Sequence, residues 1–191
     1  GPILDAVYDR RGVDKLSLNK SWSRIESTYE TVASVKSQLE PNKALIGFSG
    51  SPWTVATYMV EGKSSKDYAT VKGWAYRDRE GFGRLIDLLT VATIKHLSAQ
   101  VEAGADVIKI FDTWAGVLSP EEFRRWVIEP SVKICAELKL RYPGVKIIGF
   151  PKGVGIGYVD YVRNVGVDGV AIDTSVSPVW AAEFLQGEVT V

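Results

Sequence analysis

The feature that most constrains this chain is a unit that occurs twice. Gly104-Ala105-Asp106 leads into Val107-Ile108-Lys109-Ile110-Phe111-Asp112-Thr113, and Gly166-Val167-Asp168 leads into Gly169-Val170-Ala171-Ile172-Asp173-Thr174. In each, a helical pattern ends at glycine, an aspartate turns the chain, and an apolar run ends in Asp-Thr. Repeated βα units of this kind imply parallel strands joined by right-handed crossovers. No strand is flanked by a hairpin signal such as Asn-Gly. Two architectures fit: a doubly wound sheet and a (β/α)₈ barrel. The chain has 191 residues, against roughly 250 for the usual barrel. It ends inside an apparent strand at Val189-Thr190-Val191, so truncation is expected.

The other elements follow the same alternation. Ile25, Tyr29, Val32, Val35 and Leu39 recur at helical spacing and predict a helix over Trp22 to Leu39. Ala44 to Phe48 is an apolar run read as a strand buried on both faces. Ser49 to Thr54 reads as a loop, followed by a helical stretch to about Val60. Ser64 to Asp67 looks like a helix start, with a helix over Lys66 to Ala75. Arg79 to Glu102 reads as one long helix. Ser119 is the expected cap of a helix running from Pro120 to about Arg141. Lys146 to Phe150 predicts a strand, Tyr158 to Asn164 a helix, and Gly169 to Ile172 a strand. Pro178 to Leu185 predicts a helix, and Glu188 to Val191 the start of another strand.

Charge and composition narrow the partners. Lys plus Arg equals Asp plus Glu at 23 each, so nothing suggests nucleic acid or a membrane surface, which usually shows as a basic excess. No apolar run approaches a bilayer's span. The first five residues, Gly1 to Asp5, lack the charged and apolar regions of a signal peptide. One cysteine excludes an internal disulfide, which fits a reducing compartment. One His and one Cys leave few nitrogen or sulfur ligands for a transition metal.

In parallel α/β folds the working residues sit just beyond the carboxyl ends of the strands. That rule selects Ser49, Gly50, Ser51, Pro52, Trp53 and Tyr58 after the first strand. It selects Asp112, Thr113 and Trp114 after the second, Pro151, Lys152 and Gly153 after the third, and Asp173, Thr174 and Ser175 after the fourth. Singly, each has a structural explanation: a turn, a cap, a packed ring. The Gly153-Val154-Gly155-Ile156-Gly157 run lacks a Walker lysine and reads as turn glycines before a helix. His96 and Cys135 fall inside helices and away from this rim.

The run Ala44-Leu45-Ile46-Gly47-Phe48-Ser49-Gly50-Ser51-Pro52-Trp53-Thr54-Val55-Ala56-Thr57-Tyr58-Met59-Val60-Glu61-Gly62 resembles one characteristic of the uroporphyrinogen decarboxylase family. Ile110 to Leu118 resembles a second family stretch; Gly149 to Gly153 and Gly169 to Asp173 resemble two weaker ones. The resemblance covers essentially the whole chain. It implies part of a (β/α)₈ barrel that works with neither metal nor organic cofactor, in the cytoplasm and as a homodimer when full length. It implies loss of the four acetate carboxyls of uroporphyrinogen to give coproporphyrinogen. By motif position, Tyr58 and Thr113 correspond to substrate-contacting hydroxyls, with Phe48, Gly50 and Phe111 lining the cleft.

Family segments of the types Arg-Gln-Ala-Gly-Arg, Phe-Ser-Asp, Gly-Asn-Leu-Asp-Pro and Gly-His-Gly do not occur here. Residues 1–191 therefore read as a single domain, the incomplete central portion of the barrel, with the catalytic aspartate and arginines outside it. Two rivals remain. A zinc-dependent methyltransferase of similar fold would need ligands spaced as His-x-Cys, whereas His96 and Cys135 are far apart. A non-catalytic porphyrin-binding protein would keep the cleft without the chemistry.

Overall fold

The computed structural model describes residues 6–18, 22, 24–62 and 65–191. The N-terminal five residues and Ser64, read above as part of a helix start, lie outside the described residues. The elements run α1 (Arg10–Asp14), α2 (Glu26–Gln38), β1 (Ile46–Gly50), α3 (Pro52–Glu61), α4 (Ala69–Arg77), α5 (Arg79–Glu102) and β2 (Val107–Asp112). Then come α6 (Pro120–Phe123), α7 (Glu129–Arg141), β3 (Lys146–Pro151), α8 (Gly157–Val165), β4 (Gly169–Val170) and α9 (Pro178–Phe184).

The strands form one parallel sheet in the order β1-β2-β3-β4. That order decides between the two architectures. A doubly wound sheet reverses direction at a switch point, which places helices on both faces. Sequential strands with crossovers of one hand keep every helix on one face, as in an arc of a barrel. Burial agrees. Ile108, Ile110 and Ile147 lie under the helices and are at most 1% exposed, whereas Ile46 and Phe48, of the opposite parity, are 50% and 62% exposed. The strand read as buried on both faces is thus covered on one. Thr190 forms a further parallel bridge to Gly169, where a strand start was expected.

Local chemistry sets the boundaries. Ser51 caps α3, its hydroxyl accepting from the Thr54 N–H, and Pro52 occupies the first turn, so the expected loop shrinks to one residue. Asp78 accepts from the Gly81 N–H and starts α5 at Arg79. Gly104 (φ 108°) and Gly166 (φ 77°) end α5 and α8 in left-handed conformations that a side chain disfavours. Ser119 is extended before Pro120, but its side chain caps nothing. The helix expected from Pro120 to Arg141 is interrupted by a π turn, Arg124–Ile128, where the Glu129 N–H reaches the Arg124 carbonyl. The cause is Pro130, which has no N–H and whose ring would strike the Trp126 carbonyl in a regular helix.

The core lies between the helices and the covered sheet face. Phe82 of α5, fully buried, meets Trp53, Trp74 and Trp126 edge-on at centroid distances of 5.9, 5.4 and 5.0 Å. These contacts seat α3, α4 and the π turn against α5. They fix where the residues of α3 stand relative to the strand ends.

Candidate functional site

The uncovered sheet face carries the aromatic residues. Strand pairing aligns Phe48, Lys109 and Ile148 in one layer, and Gly50, Phe111 and Phe150 in the next layer toward the strand ends. Phe111 meets Phe48 at 5.8 Å and Phe150 at 6.0 Å between ring centroids, both edge to face. Such T-shaped pairs are favoured by the ring quadrupoles. Gly50 adds no side chain to the layer beside Phe111; a Cβ there would stand 3.1 Å from the Val55 side chain. The structure therefore brings Phe48, Gly50 and Phe111 together on one wall, and adds Phe150.

Tyr58 and Thr113 stand at the carboxyl-end rim. Tyr58 comes from α3, which follows β1, and is 44% exposed. Its ring lies 6.1 Å from that of Trp114, the residue after Thr113 in the turn that closes β2. Trp114 is held from behind: its carbonyl accepts from the Trp53 Nε1–H at 2.9 Å, and its N–H donates to the Thr54 hydroxyl oxygen. The rim is thus braced through buried Trp53 and Thr54 rather than through the exposed ring of Tyr58.

Asp112 is on the opposite parity and points among the helices, only 2% exposed. The Thr54 hydroxyl donates to its Oδ1 at 2.6 Å. Burial pushes this carboxyl up to about 7, against the pull of the Ser51 and Thr54 hydroxyls. Asp173 behaves otherwise. Its burial alone would raise it, but donors from the Ser175 hydroxyl, Gly153 N–H, Ser175 N–H and Tyr158 hydroxyl hold it at about 2. Asp173 ties the loop after β3 to the turn after β4, rather than capping the next helix or pairing with a lysine.

The loop after β3 is shaped by close backbone packing. A Cβ on Gly116 would stand 2.4 Å from the Gly153 carbonyl oxygen, so the glycines of this loop permit a close backbone approach. Lys152 is exposed, and its carbonyl accepts from the Gly116 N–H at 3.0 Å. His96 lies in α5, between the Tyr29 hydroxyl and the Gln100 amide at 3.0 Å each, and burial lowers its pKa. Gln100 holds the free edge of β1, donating to the Phe48 carbonyl and accepting from the Phe48 N–H. Cys135 is a buried core residue of α7, whose thiol burial pushes up to about 12. Among the described residues no three His, Cys, Asp or Glu side chains gather around one point that could hold a metal. No helix among them is long and apolar enough to cross a membrane.

One residue of this face was missed in the sequence. Lys109 places its Nζ 4.8 Å from the Phe111 ring centroid and 5.4 Å from that of Phe150. The available signal was a lysine two residues before Phe111 in the same strand, hence on the same face.

A sequence model of the family described as uroporphyrinogen decarboxylase (URO-D) matches residues 1–191. A relative named uroporphyrinogen decarboxylase from Rhodospirillum rubrum is 49% identical over 191 residues, covering 100% of this chain and 55% of the relative. One of the same name from Novosphingobium aromaticivorans is 49% identical over 168 residues, 88% of this chain and 49% of that protein. The chain thus spans about half the length of the curated relatives it matches. Among solved structures, a methyltransferase from Methanosarcina mazei superposes with a TM-score of 0.59 at 20% identity, over 87% of this chain and 56% of that one. At that identity the likeness is one of fold.

Proposed function

Because this chain belongs to the uroporphyrinogen decarboxylase family, we propose that it forms the central portion of such an enzyme and builds one wall of its substrate cleft. The reaction is loss of the four acetate carboxyls of uroporphyrinogen III as carbon dioxide, giving coproporphyrinogen III. The observation that carries the reading is the wall itself: Phe48, Phe111 and Phe150 edge to face on the helix-free side of the sheet, with Tyr58 and Thr113 at the rim.

The chemistry suits that wall. Protonating a pyrrole of the electron-rich macrocycle makes it a cation. Electrons of the breaking carbon–carboxyl bond flow into it as carbon dioxide leaves. A second proton then converts the exocyclic methylene to a methyl group as the ring proton is lost. The substrate serves as its own electron sink, so the protein's tasks are orientation and stabilisation of transient positive charge. Aromatic faces favour such a charge without trapping it as a carboxylate would. Hydroxyls at Tyr58 and Thr113 can direct substrate carboxyls and choose which acetate faces the reacting centre.

The family's aspartate and arginine segments do not occur in this chain, so the 191-residue chain alone should bind weakly and turn over little or nothing. The full-length protein works in the cytoplasm as a homodimer on a small-molecule substrate, with no nucleic-acid partner. The test is an anaerobic assay of the intact gene product with uroporphyrinogen, the oxidised products being separated by carboxyl count. Appearance of the four-carboxyl product supports the reading. Binding without loss of carbon dioxide would replace it with porphyrin carriage.

A further inference from the structure

We propose that Lys109 is a substrate-binding residue whose ammonium pairs with one carboxylate of an anionic macrocycle lying against Phe48, Phe111 and Phe150. The inference rests on the decarboxylase reading and adds the residue that recognises charge on this wall.

The fold makes no use of this cation. Strand register places Lys109 between Phe48 and Ile148, on the face that no helix covers. Among the described residues its ammonium forms no ion pair and no hydrogen bond; its contacts of note are the two ring faces at 4.8 and 5.4 Å. Acids elsewhere on the sheet are already engaged. Asp168, at the foot of the same open groove of about 610 Å³, pairs with Lys139 at 3.1 Å and Lys146 at 3.4 Å. Asp173 accepts from Gly153, Tyr158 and Ser175. Asp112 lies on the opposite side of the strand.

An ammonium in an apolar layer is costly unless an anion or a ring face meets it. Isoleucine or leucine would fill this position at lower cost, as Ile148 does in the same layer. Phe111 and Phe150 belong to the layer nearer the strand ends, so the side chain of Lys109 rises toward the rim. There the ammonium sits in the wall rather than beneath it. A ligand matching this surface has electron-rich pyrrole faces and carboxylates at its edge, the description of a uroporphyrinogen. The ring contacts hold the ammonium in place before the ligand arrives, which reduces the entropy lost on pairing.

The test uses the intact gene product with Lys109→Met, Lys109→Gln and Lys109→Arg. Methionine keeps the length and suits an apolar layer, so it folds even where glutamine does not. With uroporphyrinogen as substrate, Lys109→Met and Lys109→Gln should raise KM about tenfold, the size expected for one charged hydrogen bond. Their kcat should stay within about twofold. KM should also become less sensitive to salt than in the wild type, and Lys109→Arg should restore most of the loss. Unchanged KM in Lys109→Met, with an active wild type, overturns this proposal alone. So does a loss of thermal stability without a change in KM, which would mark an ion pair within the protein. A wild type that neither binds nor converts uroporphyrinogen overturns the decarboxylase reading and this inference with it.

Discussion

The two echoed units begin alike and end differently. At the start of β2, Asp106 donates its N–H to the Leu45 carbonyl, and its carboxylate accepts the Leu45 N–H. At the start of β4, Asp168 does the same with Ile147. Each aspartate thus clamps the beginning of the neighbouring strand and is held below the usual carboxylate range. At the other end the likeness fails. Five residues separate Asp106 from Asp112, but four separate Asp168 from Asp173. Asp112 is the last residue of β2, lies under the helices and is raised to about 7. Asp173 lies beyond the end of β4, where donors from Gly153, Tyr158 and Ser175 converge on it, and falls to about 2. Strand starts are scaffold and repeat; strand ends are fitted to their surroundings and diverge.

The largest expected effect comes from removing the charge that burial penalises. The folded pKa of Asp112 lies above its ordinary 3.8, so its contribution to stability is fully present below about pH 4 and is lost as pH rises through about 7. Asp112→Asn keeps an oxygen for the Thr54 hydroxyl and has no ionised form. The stability of the variant relative to the wild type should therefore grow by on the order of 3 kcal/mol between pH 4 and pH 8. Urea unfolding at a series of pH values reads this directly. A flat difference would mean that Asp112 ionises freely, and the contrast with Asp173 would collapse.

The paired strand starts give an intermediate effect. Asp106→Ala strands the Leu45 N–H and frees Lys36, which sits 2.6 Å from the carboxylate. Asp168→Ala strands the Ile147 N–H and frees Lys139 and Lys146. Each should cost about 1–2 kcal/mol, and the two costs should agree within about 1 kcal/mol. Equal losses in midpoint denaturant establish the clamp as one device used twice. A silent Asp106→Ala beside a costly Asp168→Ala would reduce the echo to coincidence of sequence.

Much of this was legible before any coordinates. The Asp-initiated units announced parallel strands, and α5 has the bounds its pattern predicted because Asp78 and Gly104 mark both ends in local chemistry. Boundaries failed where the signal is tertiary. Ala44 to Phe48 is apolar throughout, so nothing in it tells which side the helices will cover. The π turn was written in Pro130, yet a helical period alone reads across it. For the site, the strand-end rule reached Tyr58 and Thr113, whereas Phe48 and Phe111 could be singled out only by resemblance, because composition does not distinguish a wall of a cleft from a core. Lys109 was readable from parity, once the strand is known to have one open face.

The smallest effect tests the other half of the comparison. Asp173 is held low by four donors, so its contribution is present above pH 4 and lost as pH falls from about 4 toward 2. Asp173→Asn should flatten that acid limb while leaving stability above pH 5 lower by about 1 kcal/mol, a figure discounted for solvent screening of a partly exposed group. It should leave unchanged the fall in stability between pH 4 and pH 8 assigned to Asp112. Thermal melting from pH 2 to pH 8 separates the two limbs. If Asp173→Asn instead removes the change near pH 7, the raised group is Asp173. The contrast between the two strand ends would then have been assigned to the wrong aspartate.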